Sequence, residues 1–351
     1  MDTFTAPSPS FSSTCSPPCS PPLSPPLLGT HHLVHRPASP ESFLLKATAP
    51  TRQNFAFSAE LPEEHPLFGD SVSRYHDLLF PVEALRQTML FAARRYFRVP
   101  TSWHPVVASG SAEITHLDTW RSGGTRAGIA LELGVKPIDF VGGVPRGLEC
   151  EATVSIDGER CGTASARLAF LGRGVYHSHR ELGRRQSEES VAAGHGELVS
   201  PGVPLPEQVG HRDTRNVLVG LPEHIGAEGR DGLAFPIDAK AAAELRFQAD
   251  APDDVPPMLF LEVSRQVGLL AAAELRGFVP SHAVLSRWEA SFRGFAEPGV
   301  PLYCTVREGA RRTDGRVCRD AAGRPVVELR LSFVQGNRVV ARISASVLQD
   351  C

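Results

Sequence analysis

The sequence of 351 residues lacks any apolar run close to the roughly 20 residues that a membrane-spanning helix needs. No basic segment followed by an apolar one opens the chain, so we expect no secretory signal. The formal net charge is only −3, and no strongly basic region stands out. A nucleic-acid partner is therefore a poor expectation. We predict a cytoplasmic protein with neither a membrane nor a nucleic-acid partner.

Cysteine is scarce and scattered, with seven residues at irregular positions. An odd, scattered set fits reduced thiols better than a disulfide framework. Cys15 and Cys19 have no second ligand pair nearby, and His177 and His179 have no acidic ligand nearby, so we expect no metal site. The chain also lacks a glycine-rich phosphate loop after a strand and a G-x-S-x-G elbow. Both absences argue against P-loop and α/β-hydrolase chemistry, and we expect no cofactor.

What the chain does contain is an internal repeat. The pattern E-x-x-R-Q occurs at residues 83–87 and again at 262–266, each time opening an apolar helical stretch. A turn signal with a glycine occurs at residues 157–158, and a similar one occurs at 335–336. The distance between them along the chain is almost the same as that between the two E-x-x-R-Q motifs. Two landmarks in the same order at nearly one offset indicate a duplicated domain.

The composition divides the chain into four parts. Residues 1–30 contain eight prolines and seven serines, which predicts a disordered tail. The first repeat is predicted at 31–172 and the second at 211–351. Between them, residues 173–210 are mixed in charge and rich in glycine, serine and proline, which is typical of a linker.

Each repeat is predicted to contain one long helix followed by four strands. Helices are predicted at 81–97 and 258–278, and both are apolar around much of their circumference, which indicates that other structure surrounds them. The predicted strands are 54–61, 106–116, 125–135, 147–156, 161–170, 215–219, 243–249, 283–295, 300–307, 325–334 and 338–348. The predicted fold class is α+β, with a curled antiparallel sheet around each helix.

Several ordered motifs together suggest a family. The relevant stretches are residues 33–36, 65–68, 75–79 and 83–87 in the first half, and 215–218, 253–259 and 262–266 in the second half. This set resembles the A-factor biosynthesis proteins of actinomycetes, the AfsA-like gamma-butyrolactone synthases, from about residue 35 to residue 347. The resemblance implies two tandem hotdog repeats that form an intramolecular pseudo-dimer.

The resemblance also implies an activity. Such a protein is an acyltransferase that condenses a 3-oxoacyl group, carried on acyl carrier protein or CoA, with the hydroxyl of dihydroxyacetone phosphate. The product leads to a gamma-butyrolactone signalling molecule. The resemblance implies Glu83, Glu262 and Arg265 as catalytic residues. Asp254 and Pro257 stand where the family usually has His and Gly, so a changed substrate and an unreactive second half both remain open.

The helix glutamates are candidate bases for transfer to a hydroxyl. Glu83 follows Pro81 by two residues, in the first turn of the predicted helix, where the helix dipole alone favours an acid. Glu262 lies deeper in an apolar stretch, where an unpaired charge would cost several kcal/mol. We therefore expect Glu262 to have a partner or a function, whereas for Glu83 a catalytic role and a dipole role stay open.

The arginines follow the glutamates by three residues, on the same helix face. Arg86 and Arg265 could form ion pairs, and Arg265 could also bind the substrate phosphate. The residues predicted to bind substrate are Arg86, His76, Asp77 and Asp253. Asp77 could instead cap the first helix. Gln87 and Gln266 are expected to hydrogen-bond backbone of the surrounding sheet.

Two other functions remain open. A hotdog thioesterase or dehydratase would act on the same carrier-bound acyl chain without an acceptor. A non-catalytic regulator would bind an acyl chain or a lactone in the hotdog cleft.

Overall fold

The structure is a computed structural model that describes residues 44–48, 53–60, 65–122, 128–192, 202–226, 232–238, 255–309 and 317–350. Its helices are α1 (Leu79–Arg95), α2 (Arg173–Ala192) and α3 (Pro257–Arg276). The strands are β1 (Leu44–Thr48), β2 (Asn54–Glu60), β3 (His104–Ile114), β4 (Gly128–Val141), β5 (Val144–Ile156), β6 (Glu159–Leu171), β7 (Glu223–Ile225), β8 (Gly232–Ile237), β9 (Ala283–Phe292), β10 (Leu302–Glu308), β11 (Cys318–Arg319), β12 (Pro325–Gln335) and β13 (Arg338–Gln349).

The strands form one antiparallel sheet in the order β1-β2-β4-β5-β6-β3-β9-β13-β12-β10-β8-β7, with the short β11 beside β12. The two halves of this order correspond when they are counted outward from the central pair. The strands β3, β6, β5, β4, β2 and β1 then match β9, β13, β12, β10, β8 and β7. At the centre β3 pairs with β9, and Ser111 lies opposite Glu289. These two positions are as far apart along the chain as the turn glycines Gly158 and Gly336, so they are equivalent positions of the repeat. The pseudo-twofold axis of the duplicated fold therefore passes through this pair.

The core lies between the helices and one face of this sheet. Alternate residues of β4, namely Ile129, Leu131, Leu133 and Val135, are buried, while the residues between them are exposed or partly exposed. This period of two is expected for a sheet with one covered face. Helices α1 and α3 pack against the covered face and against each other. The α+β fold with two wrapped central helices is confirmed, and the two sheets are joined into one.

Most predicted elements match the observed ones to within a few residues. The predicted strand 215–219 is wrong, because residues Thr214–Asn216 form a 3₁₀ turn. There Asp213 accepts a hydrogen bond from the backbone N–H of Arg215 at 2.9 Å, a local contact that competes with strand pairing. Strands β1, β7, β8 and β11 were not predicted; β7 and β11 are only three and two residues long. The predicted strand 243–249 and the predicted tail 1–30 lie outside the described residues.

The predicted linker contains the helix α2, which packs on the second half of the molecule. Arg180 donates two hydrogen bonds to Glu297, at 2.9 and 2.8 Å, and both side chains are buried. Arg338 donates to the backbone carbonyl of Gly183 at 2.7 Å. The buried residues of α2 are Tyr176, Arg180, Gly183, Ser187 and Ser190. Their spacing is helical, but most of them are polar or small, so hydrophobic periodicity does not reveal the helix.

Candidate active site

The second E-x-x-R-Q motif forms a buried ion pair on α3. Glu262 is 0% exposed, and Arg265 is 7% exposed. Arg265 donates from Nε to Glu262 Oε2 at 2.8 Å and from Nη2 to Oε1 at 2.6 Å. The amide of Gln266 donates to the same Oε1 at 2.6 Å. A buried carboxylate needs an oppositely charged partner, and for Glu262 this partner is Arg265, one turn further along the helix.

A histidine that the sequence did not single out lies against this pair. His211 Nε2 is 2.7 Å from Glu262 Oε1 and 2.6 Å from Arg265 Nη2. With a proton, that nitrogen donates to Glu262; without one, it accepts from Arg265. The other ring nitrogen lies 3.3 Å from a carboxylate oxygen of Asp70. His211 therefore links the ion pair to a carboxylate of the first repeat, and its tautomer decides whether Nε2 bonds Glu262 or Arg265.

Asp77 reaches the same ion pair from the first repeat. Its Oδ2 is 3.2 Å from Arg265 Nε, and its Oδ1 accepts the backbone N–H of Leu79 at 2.9 Å. Asp77 thus contacts both the start of α1 and Arg265, and its role as a site residue stays a prediction. Asp77 belongs to the segment 71–78, which we call the crossing segment because it runs from α1 across to the second half. Backbone contacts of Val72 with Gly210 and of Ser71 with His211 hold its other end.

The two carboxylates that share Arg265 differ in acidity. Burial alone would raise the pKa of Glu262, but Arg265 and His211 outweigh it and hold the pKa at about 2. Burial also raises the pKa of Asp77, and the negative charge of the nearby Glu262 raises it further. Arg265 lowers this pKa but does not cancel the increase. Burial would lower the pKa of Arg265, yet Glu262 and Asp77 raise it overall. Glu262 therefore stays ionised, and Asp77 is the carboxylate better suited to exchanging a proton.

A small cavity opens beside Asp77 and Arg265, and we call it the Arg265 cavity. Its other lining residues include Ser71, Ser73, His76 and Leu269. Burial lowers the pKa of His76, which favours a neutral imidazole that can donate or accept a hydrogen bond. These polar groups lie on one side of the cavity, whose remaining lining is apolar and includes Val284 and Leu285, and its volume is about 20 Å³.

The first E-x-x-R-Q motif forms a similar pair in α1. Arg86 donates to both carboxylate oxygens of Glu83 at 2.7 Å, and Gln87 donates to Oε1 at 2.9 Å. Helix α1 begins at Leu79, so Glu83 lies beyond the first turn. The helix dipole falls off within the first turn, and the dipole interpretation of Glu83 loses its basis.

The cavity beside Arg86 is apolar, and we call it the Arg86 cavity. It lies between α1 and α3 and is lined by Val82, Leu85, Met89, Met258, Leu261 and Trp288, among others. Met89 and Met258 are the only methionines of the chain besides Met1. The indole N–H of Trp288 is buried and lacks a hydrogen-bond partner within the described part of the chain. Flexible methionines and an unused donor suit an apolar ligand that carries an oxygen acceptor.

The structure brings some of the expected site residues together and separates others. Glu262, Arg265 and Asp77 meet, and His76 lies at the same cavity. Glu83 and Arg86 instead form their own pair, and Arg86 lines the apolar cavity. Asp253 and Asp254 lie outside the described residues.

The glutamines were expected to bind backbone of the surrounding sheet. Gln266 donates to the carbonyl of Asn216 at 2.7 Å and accepts from the N–H of Leu218 at 2.9 Å. This confirms a backbone contact, made with the 3₁₀ turn and the residues after it instead of a strand. The described contact of Gln87 is with Glu83.

His211 and Asp70 are the residues that sequence reasoning missed. One signal was available: the dipeptide His-Arg occurs at residues 35–36 and again at 211–212, at an offset close to that of the other landmarks. No equivalent signal marks Asp70, whose contact with His211 spans 141 residues of chain.

The structure also describes possible metal ligands, possible membrane spans and the cysteines. Within the described residues, no group of three or more His, Cys, Asp or Glu side chains is placed to hold a metal ion. No helix in that part of the chain has the length and apolar character to cross a bilayer. Burial raises the pKa of the Cys150 thiol to about 12 and that of Cys161 to about 11. Both are poor candidates for a thiolate nucleophile.

Two tandem helix-and-sheet repeats joined edge to edge, with a buried Glu–Arg pair on each central helix, define a double hotdog protein. The model of the A-factor biosynthesis hotdog domain matches residues 24–172 and 204–348. The chain therefore belongs to the A-factor biosynthesis hotdog family, and the resemblance seen in its motifs is confirmed.

The chain is also similar to individual proteins. It is 25% identical to a 2-oxo-3-(phosphooxy)propyl 3-oxoalkanoate synthase of Streptomyces griseus over 287 residues, which cover 79% of this chain and 85% of the relative. Identity to the synthase of the same name from Streptomyces coelicolor is 25% over 286 residues, covering 79% and 82%. Among solved structures, an acyl-ACP thioesterase from Bacteroides thetaiotaomicron is similar with a TM-score of 0.46 and 11% identity, covering 84% of this chain and 97% of that one.

Proposed function

We propose that the protein is an acyltransferase that joins a 3-oxoacyl group to the hydroxyl of dihydroxyacetone phosphate. The hydroxyl oxygen attacks the thioester carbonyl of the acyl carrier protein or CoA substrate. A C–O bond forms, the C–S bond breaks, and the hydroxyl proton ends on the released thiol. The observation that carries this proposal is the contact of Asp77 with Arg265 at the Arg265 cavity, in a family whose similar members are named as synthases of this ester.

Asp77 is the proposed base. It lies at the cavity, and its raised pKa makes it a stronger proton acceptor than an ordinary aspartate. Glu262 already accepts hydrogen bonds from Arg265 and Gln266 and has a pKa of about 2. Its proposed role is to orient Arg265. This choice differs from the expectation from sequence that Glu262 is a candidate base.

Arg265 supplies positive charge at the Arg265 cavity. Besides its bonds to Glu262, it donates from Nη1 to the carbonyl of Val209 at 3.0 Å. Its guanidinium is thus held rigidly by protein acceptors, as preorganised electrostatic stabilisation requires. We assign it attraction of the acceptor's phosphate and stabilisation of the oxyanion that forms on the thioester carbonyl.

The acyl chain is assigned to the Arg86 cavity. Its lining is almost wholly apolar, and Met89 and Met258 can adjust to chains of different shape. The free indole N–H of Trp288 offers a donor to an oxygen of the acyl group. Glu83 is then the residue that holds Arg86 at this cavity.

Mass spectrometry of the purified protein with a 3-oxoacyl carrier protein and dihydroxyacetone phosphate tests the proposal. A phosphorylated ester or butenolide that requires the acceptor is the expected product, and Asp77→Asn should lower its rate of formation about 100- to 10,000-fold, while the exposed-site control Asp139→Asn does not. Free fatty acid formed without the acceptor would establish a thioesterase instead. Tight binding of an acyl chain or lactone without turnover would establish a binding protein.

A further inference from the structure

The outer face of the sheet, opposite the helices, has an uneven distribution of charge. Strand register allows one line of outward side chains to be followed across the molecule. From the first half to the second it runs through Glu151, Ser165, Ser111, Glu289, Ser344, Arg330 and Arg307. The line thus begins at an acid on β5 and ends at two arginines on β12 and β10, with the pseudo-twofold axis between them.

The basic end forms an arginine patch of Arg307, Arg330 and Arg342. Arg307 lies directly opposite Arg330 in the pairing of β10 with β12. Arg342 pairs with Ser332, the next outward position on β12 after Arg330. All three are exposed, and none of their side chains has an ion pair or hydrogen bond within the described part of the chain; the exposed Glu328 lies on the same face of β12, two residues before Arg330. Like charges placed directly opposite each other destabilise a sheet, so the patch favours an anionic partner.

The acidic end forms a trough in the outer face of the first half, with a volume of about 730 Å³. Its walls carry the carboxylates of Glu132 and Glu151 and the hydroxyls of Ser111, Thr153, Thr163 and Ser165. Glu151 is exposed and has no ion-pair partner in the described part of the chain, whereas Glu132 accepts from the exposed Arg160 at 2.8 Å. The acidic trough therefore offers an open carboxylate and several hydrogen-bonding hydroxyls to a cationic partner.

We infer that the outer face of the sheet is an interface between two copies of this chain, in which the arginine patch of each copy enters the acidic trough of the other. The two features lie on opposite sides of the pseudo-twofold axis. A twofold axis that lies in the interface, parallel to the central strands β3 and β9, brings each arginine patch against the acidic trough of the other copy, so both contacts form in one closed dimer.

A second copy fits this face better than an acidic carrier protein does. The Arg265 and Arg86 cavities lie against the helices, on the other side of the sheet. A carrier protein on the outer face could not deliver its acyl group there. The nine strands from β2 to β10 extend about 40 Å along the curved sheet at ~4.8 Å per strand. An interface of the standard size needs about 800 Å² per partner, which is part of that surface.

Charge reversal tests the inference with two variants. One variant, Arg307→Glu with Arg330→Glu and Arg342→Glu, is acidic at both ends of the face. The other, Glu132→Arg with Glu151→Arg, is basic at both ends. Sedimentation velocity should show a dimer for the wild-type protein, weakened by salt, and at least about a tenfold loss of affinity in each variant alone. An equimolar mixture should restore a 1:1 heterodimer.

The outcomes separate the possibilities. A wild-type protein that stays monomeric at high concentration, or variants that dimerise as tightly as wild type, would overturn the inference. So would binding of an acyl carrier protein that is lost only in the arginine variant while the wild-type chain is a monomer. Thermal melting of each variant shows that the fold is retained. Since no substituted residue lines the Arg265 or Arg86 cavity, the result does not depend on the proposed acyl transfer.

Discussion

The two copies of E-x-x-R-Q hold the same ion pair in different surroundings. Around Arg265 the neighbours are His211, Asp77 and the serine hydroxyls of the crossing segment. Around Arg86 they are methionine, leucine, valine and tryptophan side chains. One helix motif thus lies beside histidine, aspartate and serine side chains in one half and beside apolar side chains in the other. The motif holds an arginine by a paired glutamate, and the segments packed around it decide which part of a substrate it can meet.

The largest difference between the copies should appear when each glutamate is neutralised. Glu262→Gln leaves Arg265 without its main buried acceptor, which costs about 3–5 kcal/mol when a buried pair is broken, and should reduce ester formation to background. The matched variant Glu83→Gln affects a pair whose side chains are 10% and 12% exposed, so its loss of stability should be smaller. Urea unfolding and product analysis of both variants make the comparison. Equal losses in the two variants would contradict the asymmetry.

Asp77→Asn should lower turnover about 100- to 10,000-fold, the usual contribution of a general base. Wild-type activity should rise with pH through the pKa of Asp77, which lies above the ordinary value of 3.8, and this limb should be absent in the variant. A raised carboxylate pKa means that ionised Asp77 opposes folding, so this contribution to stability is present at low pH and lost as pH rises through that pKa. The neutral asparagine should therefore keep or increase the free energy of unfolding at pH 7.

A purely structural Asp77 behaves differently. If its main task were to cap α1, the variant would melt at a lower temperature, and the pH profile of its remaining activity would be unchanged. Melting curves and pH–rate profiles of the variant, with Asp139→Asn as an exposed control (the Asp139 side chain is 70% exposed), distinguish the two cases.

The two cavities should respond to narrowing in different ways. Val82→Phe narrows the Arg86 cavity and should lower kcat/KM for long acyl chains about tenfold, with little effect on short ones. Leu269→Phe narrows the Arg265 cavity and should instead raise KM for dihydroxyacetone phosphate. Each substitution adds volume to a packed interior, at a cost of about 1–3 kcal/mol. Steady-state kinetics over a series of acyl lengths would refute the assignment if both variants changed the same parameter.

The smallest expected effect concerns the position of the crossing segment. The hydroxyl of Tyr75 donates to Asp350, and Arg121 donates to the same carboxylate at 2.9 Å. Burial and the contact with Asp350 raise the pKa of Tyr75 to about 12, so the hydroxyl keeps its proton. Tyr75→Phe should cost about 1 kcal/mol of stability and lower kcat several-fold by loosening Asp77.

The control for that variant is Tyr303→Phe, which removes a hydroxyl bond to the carbonyl of Gly336, away from both cavities. It should lower stability by a similar amount and leave kcat unchanged. A loss of kcat in both variants would show that general destabilisation, and not the crossing segment, is responsible.

Much of the local structure could be predicted from the sequence. Hydrophobic periodicity located α1 and α3, and the spacing of three residues predicted the Glu262–Arg265 pair. The helix α2 could not be found in this way, since Arg180 is buried by its pairing with Glu297, 117 residues away. Polar burial of this kind leaves no periodic apolar signal.

Contacts between the halves were equally beyond sequence reasoning. Asp77 and Arg265 belong to different repeats, with the whole linker between them in the chain, and His211 lies 51 residues from Glu262. Neither separation along the chain corresponds to the periodicity of a helix or of a strand. The dipole interpretation of Glu83 depended on where the helix begins. Helix α1 begins at Leu79 instead of Pro81, and this shift of two residues moves Glu83 out of the first turn.

The sequence by itself determined the duplicated domain, the two apolar helices, the alternating strands and the Glu–Arg pairs, because each of these depends on residues close together in the chain or on a pattern that recurs along it. The tertiary structure alone decided that Asp77 and His211 meet Arg265 and that Trp288 lies at the cavity beside Arg86. Those contacts depend on how the halves pack about the β3–β9 pair. Packing brings together side chains that no local periodicity relates, and it thereby gives two identical motifs different surroundings.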